Sequence, residues 1–370
     1  MALAVPPGGN PHPDAAPATD PPLPAARPVP APPRPTARRP APPRCRELTV
    51  VVVNFCQWHN TARLVRQLRR SVAVRTGAAD VVVIDNHSPP HPLARRLKRL
   101  SGVTVRRTRR NLGFARAVNR GCGVHADADP SRWVLLLNPD VTVPDGFLDE
   151  VLAAVAADPA AGVIGFRLRN RDGSDQASSG PFPTLPNTLA GLLLPRSRRK
   201  CRHVVGPGRR PVAWVTGGCL LVRRECFERL GGFDEGFFLY HEDADFCRRA
   251  AAAGWAVCYE PGVEVTHHWP LHSRPVPAPL RLMTRHALLT YARKHWRGWQ
   301  SAVLGGVVWA EAVVRQAWAR LRGDSTAARC YGQLRGLVGD VRRGRDDSAR
   351  ARIRGAAAFL GPIAAGQDRA

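Results

Sequence analysis

Three carboxylates lie close together in the stretch from Gly231 to Trp255, GGFDEGFFLYHEDADFCRRAAAAGW. Glu242, Asp243 and Asp245 follow an apolar run and begin a segment with helical spacing of apolar residues, which ends at Gly254. Carboxylates in the first turn of a helix are stabilised as anions by the free N–H groups and the dipole, so one of them could act as a base. The alternative is an ordinary acidic helix start without a chemical role.

Another carboxylate follows a segment that predicts a buried strand. The runs Leu48 to Phe55 and Val81 to Ile84 are rich in β-branched residues and typical of parallel strands covered on both faces. Residues 60–75 between them predict a helix, which gives a right-handed strand–helix–strand unit. Ligands of such sheets bind beyond the carboxyl ends of the strands, where Asp85 stands. The alternative is a β-turn that Asp85 opens before two prolines.

Two further strands lead into polar residues. Val103 to Arg106 precedes the segment Asn111 to Gly121, in which a glycine turn and a short helix could bring Asn and Arg side chains toward a phosphate. Trp133 to Leu137 ends in Asn138-Pro139-Asp140, and the carboxylate of Asp140 suits a hard divalent cation that bridges to a diphosphate. No GxGxxG follows these strands and no GxxxxGK[ST] occurs, which disfavours nicotinamide-binding and P-loop enzymes.

Composition limits the class of protein. The chain has 370 residues, of which 44% are hydrophobic, which suffices for one large domain or two ordinary ones. Its formal net charge of +26 predicts affinity for polyanions such as nucleic acid, an anionic membrane face or phosphorylated substrates. The nine cysteines include no CxxC pair, so neither a zinc module nor a disulfide framework is indicated, and a reducing cytosol is the simplest setting.

The two ends of the chain differ from its middle. The first 44 residues hold 16 of the 35 prolines and few large apolar residues, so residues 1–45 are predicted to be a disordered basic tail. After Ser273, eighteen Lys and Arg stand against six Asp and Glu. We therefore predict a catalytic domain over residues 46–275 and a basic helical region over residues 276–370.

Leu280 to Trp296 and Trp299 to Leu321 predict the first helices of that basic region. Their tryptophans alternate with arginines, which fits a helix lying on an anionic leaflet. It fits equally well two helices that pack on the catalytic domain and expose a solvated basic face. The apolar run over residues 302–310 is far shorter than the roughly 20 residues of a membrane span.

The ordered set of motifs resembles glycosyltransferase family 2, in particular its rhamnosyltransferase-like members. The motifs are VVVNF, VVVIDNHSP, NLGFARAVNRG, WVLLLNPDVTV, the stretch around HEDAD, and VEVTHH, and they cover about residues 48 to 273. The resemblance implies the GT-A fold, a mainly parallel, Rossmann-like α/β sheet with helices on both faces. It also implies transfer of a sugar from a nucleoside diphosphate to an acceptor hydroxyl, with inversion at the anomeric carbon and with Mg²⁺ or Mn²⁺.

The same resemblance implies roles for individual residues. Asp243, the second acid of HEDAD, matches the catalytic base. Asp140 matches the last acid of the metal-binding motif, which is reduced here to NPD. His267 matches a histidine that binds the metal or contacts the diphosphate. His268 competes for this role, because adjacent residues of a strand point to opposite faces.

The remaining implied site residues contact the donor or the acceptor. The donor-binding residues are Asn54, Phe55, Asp85, Asn111, Gly113, Arg116 and Asp140. Residues of the sugar and acceptor pocket are Gly217, Gly218, Glu242 and Asp245, of which the two acids either hold the shape of the site or touch the acceptor. The motif set ends by Ser273, which predicts that a chain cut after about residue 275 keeps donor recognition in principle, although the loss of helix packing could destabilise the domain.

The predicted function is therefore transfer of rhamnose or a similar hexose to a glycan or polyprenyl-linked acceptor in cell-surface polysaccharide synthesis. The predicted location is cytoplasmic, with peripheral binding to the anionic inner membrane face. Two other classes stay open, a basic nucleic-acid-binding protein and a catalytically inactive scaffold. Against the first, the basic residues concentrate in the tails and no nucleic-acid motif occurs. Against the second, Asp85, Asp140 and Asp243 are all present.

Overall fold

The computed structural model describes residues 46–123, 131–156, 161–193, 204, 206–269 and 276–369. These residues belong to one compact unit. The predicted disordered tail over residues 1–45 lies outside the described residues and stays a prediction.

A large mixed sheet forms the centre of this unit. In chain order the strands are β1 (Leu48–Asn54), β2 (Ala79–Asp85), β3 (Val103–Arg107), β4 (Trp133–Leu137), β5 (Val141–Thr142), β6 (Ala161–Arg169), β7 (Asp175–Gln176), β8 (Ser179–Gly180), β9 (Arg210–Pro211), β10 (Trp214–Val215), β11 (Cys219–Arg223) and β12 (Ala256–His267). The order across the large sheet is β3-β2-β1-β4-β11-β6-β12-β5, with β7 beside β6 and β9 beside β12. β8 and β10 form a separate antiparallel pair.

Helices surround the sheet and continue after it. In chain order they are α1 (Trp58–Leu68), α2 (Val72–Arg75), α3 (Pro92–Leu97), α4 (Phe114–Cys122), α5 (Phe147–Ala156), α6 (Leu185–Leu193), α7 (Arg224–Arg229), α8 (Glu242–Ala252), α9 (Ala278–His295), α10 (Gly298–Leu321), α11 (Ser325–Arg342), α12 (Asp346–Ala357) and α13 (Leu360–Arg369).

Both faces of the sheet are covered, which explains the β-branched sequence of its central strand. β1 pairs in parallel with β2 and with β4, and all of its residues are buried. Leu48, Val50 and Val52 pack with α1, α2, α3 and α5 on one face. Val51 and Val53 pack with α4, α7 and α8 on the other. The α/β class predicted from the sequence is confirmed.

The predicted strands agree with the observed ones to within two residues at each end. The predicted helix over residues 60–75 is instead divided into α1 and α2. The division occurs because Ser71 is extended and its side chain accepts a hydrogen bond from the N–H of Ala73, which starts a new helix.

The helices after residue 276 pack on the sheet and do not form a unit of their own. Ala287 and Tyr291 of α9 share a hydrophobic cluster with α8. Other residues of α9 share a second cluster with α10, α11 and α12. Within the described ranges, no helix is long and apolar enough to cross a lipid bilayer.

Candidate active site

Asp243 lies in the first turn of α8, at the end of a constrained loop. Tyr240 and His241, with φ of 74° and 63°, are both left-handed immediately before the helix, a conformation that is uncommon for residues other than glycine. The buried carboxylate of Asp243 accepts hydrogen bonds from the backbone N–H groups of Ala244 at 2.8 Å and Gly217 at 3.2 Å. These two N–H groups fix the direction of the carboxylate at the start of the helix.

The turn at Gly217 and Gly218 connects Asp243 to the loop after β4. Gly217 donates to Asp243, and the carbonyl oxygen of Gly218 accepts a hydrogen bond of 3.1 Å from the N–H of Asn138. A Cβ on Gly218 would lie 3.8 Å from the ring of His267 and 3.9 Å from the amide of Asn138. A larger side chain at Gly218 would therefore fill the space in front of these groups.

Asp140 and His267 face each other beside this turn. Nε2 of His267 lies 3.5 Å from Oδ1 of Asp140, and both side chains are largely buried. Burial alone would raise the pKa of Asp140, but the charge and hydrogen bonding of His267 and the nearby His268 lower it by more. Nδ2 of Asn138 lies 3.3 Å from the same Nε2 of His267. A carboxylate oxygen and an imidazole nitrogen at this separation could together bind one divalent cation.

Gln176, which the sequence did not single out, orients His267. Its Nε2 donates to Oδ1 of Asn170 at 2.8 Å and to the carbonyl oxygen of His267 at 3.3 Å. Its Oε1 therefore faces Nδ1 of His267, at 2.7 Å. In the tautomer with the hydrogen on Nδ1, the lone pair of Nε2 is on the side of the ring where Nδ2 of Asn138 lies at 3.3 Å and Oδ1 of Asp140 at 3.5 Å. Metal-binding histidines are commonly oriented by such a partner on the second nitrogen.

His268 points away from Asp140. Its Nε2 lies 2.7 Å from the hydroxyl of Thr142 on β5, and burial together with the charge of Arg63 lowers its pKa. Of the two adjacent histidines, the structure brings His267 to Asp140, which agrees with the alternation of a strand. Within the described ranges, no group of three or more His, Cys, Asp or Glu residues could hold a metal. Asp140 and His267 fit a cation that takes its other ligands from water and a bound diphosphate.

A second group of buried polar side chains lies at the ends of β1 and β2. Asn54 and Asp85 are register partners, and Nδ2 of Asn54 lies 3.4 Å from Oδ1 of Asp85. Asn54 also binds Ser88 and Thr61, so its amide is used within the protein. Oδ2 of Asp85 lies 3.5 Å from Nε of Arg107. Asn54 therefore positions Asp85, a role that differs from the predicted lining of a nucleoside pocket.

The loop over residues 111–114 is fixed by Asn86, another residue that the sequence did not single out. The side chain of Asn86 donates to Oδ1 of Asn111 at 2.9 Å and accepts from the N–H of Leu112 at 2.9 Å. Gly113 has a φ of 84°, and a Cβ there would lie 2.5 Å from the carbonyl oxygen of Phe238. Only glycine allows this approach, which brings the loop before α8 onto the predicted donor loop.

A cavity of about 790 Å³ opens beside Asn111. Phe55, Trp58 and His91 line it from the sheet side. Arg354 of α12 and Asp368 of α13 line it from the C-terminal side. The carboxylate of Asp368 accepts hydrogen bonds from the N–H groups of His59 at 3.0 Å and Asn60 at 2.8 Å, so it caps α1 from a distant part of the chain.

The last two helices thus enclose the cavity that Phe55 and Asn111 line, which the sequence did not predict. The expectation that donor recognition survives without the residues after Ser273 stays a prediction, and it would not hold for a donor bound in this cavity. Helix α13 packs against α1, a contact between distant segments that no pattern in the sequence of α13 indicates.

Two predicted site residues have partners of their own. Arg116 lies beside a narrow cleft next to the cavity, and its Nε is 2.6 Å from Oε2 of Glu235. Asp245 is fully buried and contacts Arg249, Lys294 and His295, each at 2.8 Å. Burial opposes ionisation of Asp245, but the hydrogen bond with His295 and the charges of Arg249 and Lys294 hold its pKa at about 2. Of the two roles predicted for Asp245, this geometry favours holding the shape of the site.

Comparison with known proteins identifies the family. The sequence profile described as "Glycosyltransferase like family 2" matches residues 43–288. The chain belongs to this family. It is a nucleotide-sugar-dependent glycosyltransferase with the GT-A fold that the motifs implied.

Relatives of this glycosyltransferase include enzymes of known activity. The N-acetylglucosaminyl-diphospho-decaprenol L-rhamnosyltransferase of Mycobacterium tuberculosis is 34% identical over 235 residues, which are 60% of this chain and 76% of that protein. The low-salt glycan biosynthesis hexosyltransferase Agl10 of Haloferax volcanii is 25% identical over 226 residues, which are 61% of this chain and 68% of that protein. Among solved structures, the mannosyltransferase PcManGT of Pyrobaculum calidifontis, in complex with GDP-Man and Mn²⁺, is 18% identical with a TM-score of 0.46, and the match covers 88% of this chain and 84% of that one.

Proposed function

We propose that this glycosyltransferase transfers rhamnose or a similar hexose, with inversion, from a nucleoside diphosphate to a hydroxyl group of a lipid-linked acceptor. The observation that carries the proposal is the hydrogen-bonded path from Asp243 through Gly217 and Gly218 to Asn138, beside Asp140 and His267. This path places the proposed base, Asp243, and the proposed cation ligands, Asp140 and His267, around one short turn.

Asp243 is proposed as the general base. Its carboxylate would accept the proton of the acceptor hydroxyl while that oxygen forms a bond to the anomeric carbon and the bond to the diphosphate breaks. The N–H groups of Ala244 and Gly217 fix the direction of the carboxylate before the acceptor arrives. One displacement of this kind inverts the anomeric centre.

Asp140 and His267 are proposed to hold a divalent cation, Mg²⁺ or Mn²⁺, whose chemistry is to offset the negative charge that grows on the departing diphosphate. Gln176 would keep the Nε2 lone pair of His267 available for this role. Gly218 leaves room in front of both ligands.

The nucleoside of the donor is proposed to occupy the cavity beside Asn111. Its volume of about 790 Å³ is suitable for a nucleoside diphosphate sugar. Aromatic and imidazole rings line the side near α1, and Arg110 and Arg354 are the cations at its edge. Asp85 lies at the end of β2 next to this space, where Ser88 and Asn54 hold its carboxylate.

The acceptor is proposed by analogy with a relative. The relative from Mycobacterium tuberculosis is named for an N-acetylglucosaminyl-diphospho-decaprenol acceptor. We extend this class, a polyprenyl diphosphate that carries a first sugar, to the present chain. The alternative proposals of a nucleic-acid-binding protein or an inactive scaffold gain no supporting contact from the described site.

Transfer from nucleotide sugars to a short-chain polyprenyl diphosphate that carries N-acetylglucosamine tests the proposal. We expect product from the parent protein, and a fall in turnover on the order of 10² to 10⁴ for Asp243→Asn with nearly unchanged donor binding. NMR of the product should show the anomeric configuration opposite to that of the donor.

Asp245→Asn is the matched control, because it changes a carboxylate on the same helix turn that contacts the side chains of Arg249, Lys294 and His295. This variant should unfold at a lower temperature yet keep substantial turnover per folded molecule, since Arg249 and Lys294 lose their shared anion. Equal turnover in Asp243→Asn and the parent would remove Asp243 from the mechanism.

A further inference from the structure

Helix α10 has two apolar faces, of which only one is covered. Leu304, Val308 and Ala312 are buried against α9 and α11. The opposite face is exposed along its whole length at intervals of three and four residues, and its members are Trp299, Val303, Gly306, Ala310, Val314, Ala317 and Leu321. At 1.5 Å per residue this stripe extends about 33 Å. We refer to these seven residues as the outer stripe.

Exposure of this kind is unusual for large side chains. Trp299 is 61% exposed, Val314 68% and Leu321 81%, and Trp309 and Trp318 on the flanks of the outer stripe are about half exposed. A long continuous apolar surface on a folded protein marks a place where another apolar phase or molecule binds.

The outer stripe carries no negative charge. Glu311 is the acid of α10, and it is turned inward, where Arg281, Arg285 and Arg315 contact its carboxylate at 3.4, 2.6 and 2.9 Å. Burial opposes ionisation, but these arginines hold the pKa of Glu311 at about 2, so its charge is matched within the protein. No acid of α10 therefore faces the outer stripe, and the exposed acid nearest to it in the chain is Asp324, which caps α11 just beyond Leu321.

Arginines border the outer stripe next to its tryptophans. The guanidinium of Arg322 lies 4.5 Å from the ring centroid of Trp318, and that of Arg335 lies 5.5 Å from Trp309. Arg297 precedes the helix, and Arg320 is exposed in its last turn. Tryptophan beside arginine suits the boundary of a lipid bilayer, where the ring enters the acyl region and the cation meets a phosphate. A second copy would bring the same positive border and be repelled.

We propose that the outer stripe of α10 docks in the plane of an anionic lipid bilayer, with the helix axis along the surface and the tryptophans at the acyl boundary. The proposal rests on the proposed function only in that a lipid-linked acceptor gives this docking a purpose. The helix lies along the surface since no described helix is suited to span it.

The docked surface is coupled to the proposed base through short contacts. Lys294 and His295 precede α10 by a few residues and bind Asp245, which lies one half-turn after Asp243 on α8. The indole N–H of Trp296 donates to the carbonyl oxygen of Pro183, just before α6. Docking would therefore fix the height of α8 above the bilayer, where a membrane-held diphosphate acceptor arrives.

Flotation of the full-length protein with vesicles tests the docking without catalysis. We expect binding to vesicles of phosphatidylcholine mixed with phosphatidylglycerol, weaker binding to phosphatidylcholine alone, and partial release by salt. The variant Trp299→Ser/Val314→Ser/Leu321→Ser should lose at least about tenfold in partitioning, because it removes apolar contact from exposed positions only. Circular dichroism and an unchanged melting temperature verify its fold.

Val72→Ser/Phe359→Ser is the matched control, since both side chains are exposed apolar residues that lie outside α10. This control should float like the parent protein. Unchanged flotation of the triple variant would overturn the proposal and assign lipid binding to basic residues elsewhere. Light scattering could show that the parent protein is a dimer and the triple variant a monomer. That result would overturn the docking proposal and show that the outer stripe is a contact between two copies of the chain. Flotation without any sugar transfer would leave the docking intact and refute the proposed function instead.

Discussion

Two neighbouring pairs of residues with similar chemistry have different surroundings in this protein. Asp243 accepts hydrogen bonds from backbone N–H groups, whereas Asp245 contacts the side chains of Arg249, Lys294 and His295. His267 faces Asp140, whereas His268 faces Thr142. In each pair, the position along the helix or strand determines which groups the side chain contacts, and it is the basis for proposing chemical roles for Asp243 and His267 only.

The histidine pair gives a prediction about the cation. Asp140→Ala and His267→Ala should each weaken the Mn²⁺-dependent part of donor binding by at least about tenfold, because each removes one of two protein ligands. His268→Ala should change it by less than about twofold, since its ring bonds to Thr142. Calorimetry with the nucleotide diphosphate, with and without Mn²⁺, measures this difference. A larger effect at His268 than at His267 would reverse the assignment.

The sequence predicted the residues that end a strand or start a helix, because their position follows from local pattern. Asp85, Asp140 and Asp243 are all of this kind. Gln176 could not be predicted, since it lies on a two-residue strand and its role depends on a histidine 91 positions later. The same holds for Asp368, whose partner His59 is 309 positions away. Contacts between distant segments leave no periodic signal in either segment.

At the scale of elements, α12 and α13 make the C-terminal region part of the proposed donor site. The predicted positions of α9 and α10 are confirmed to within two residues. The helical period of the sequence predicted that α9 and α10 are helices. The face of each helix that α11 covers could not be predicted, because the apolar pattern of α11 itself is weak. The buried ion pairs of Glu311 and Asp245 explain why charged residues interrupt the apolar spacing of these helices.

Removal of α13 tests this part of the site. A chain that ends at Phe359 loses the wall formed by Gly361, Ala365 and Asp368, so the cavity opens to water. We expect the Kd of the donor nucleotide to rise by about tenfold, because pockets bind ligands by burying most of their surface. Leu321→Ser, which changes an exposed residue of the same region, should leave the Kd unchanged. Equal affinity of the shortened chain and the parent would place the nucleoside outside this cavity.

At the scale of the whole molecule, His286 links stability to pH. It lies on α9, which packs against both α8 and the C-terminal helices. Burial, followed by the nearby charges of Arg350 and Arg293, lowers the pKa of His286 from 6.5 to about 4, although Asp346 opposes the shift. Nδ1 of its ring has no hydrogen-bond partner. The folded protein therefore holds this histidine neutral in a positive environment.

A lowered pKa means that the unfolded chain binds the proton more readily than the folded protein does. The stabilising effect of a neutral His286 is complete above pH 6.5 and is lost as the pH falls toward about 4. The free energy of unfolding should fall by up to about 3 kcal/mol over that interval. His286→Gln cannot take up a proton, so it should flatten this part of the profile. Denaturant titrations across this pH range measure the slopes. Equal slopes for His286→Gln and the parent would show that other groups, or the high net positive charge, cause the loss of stability in acid.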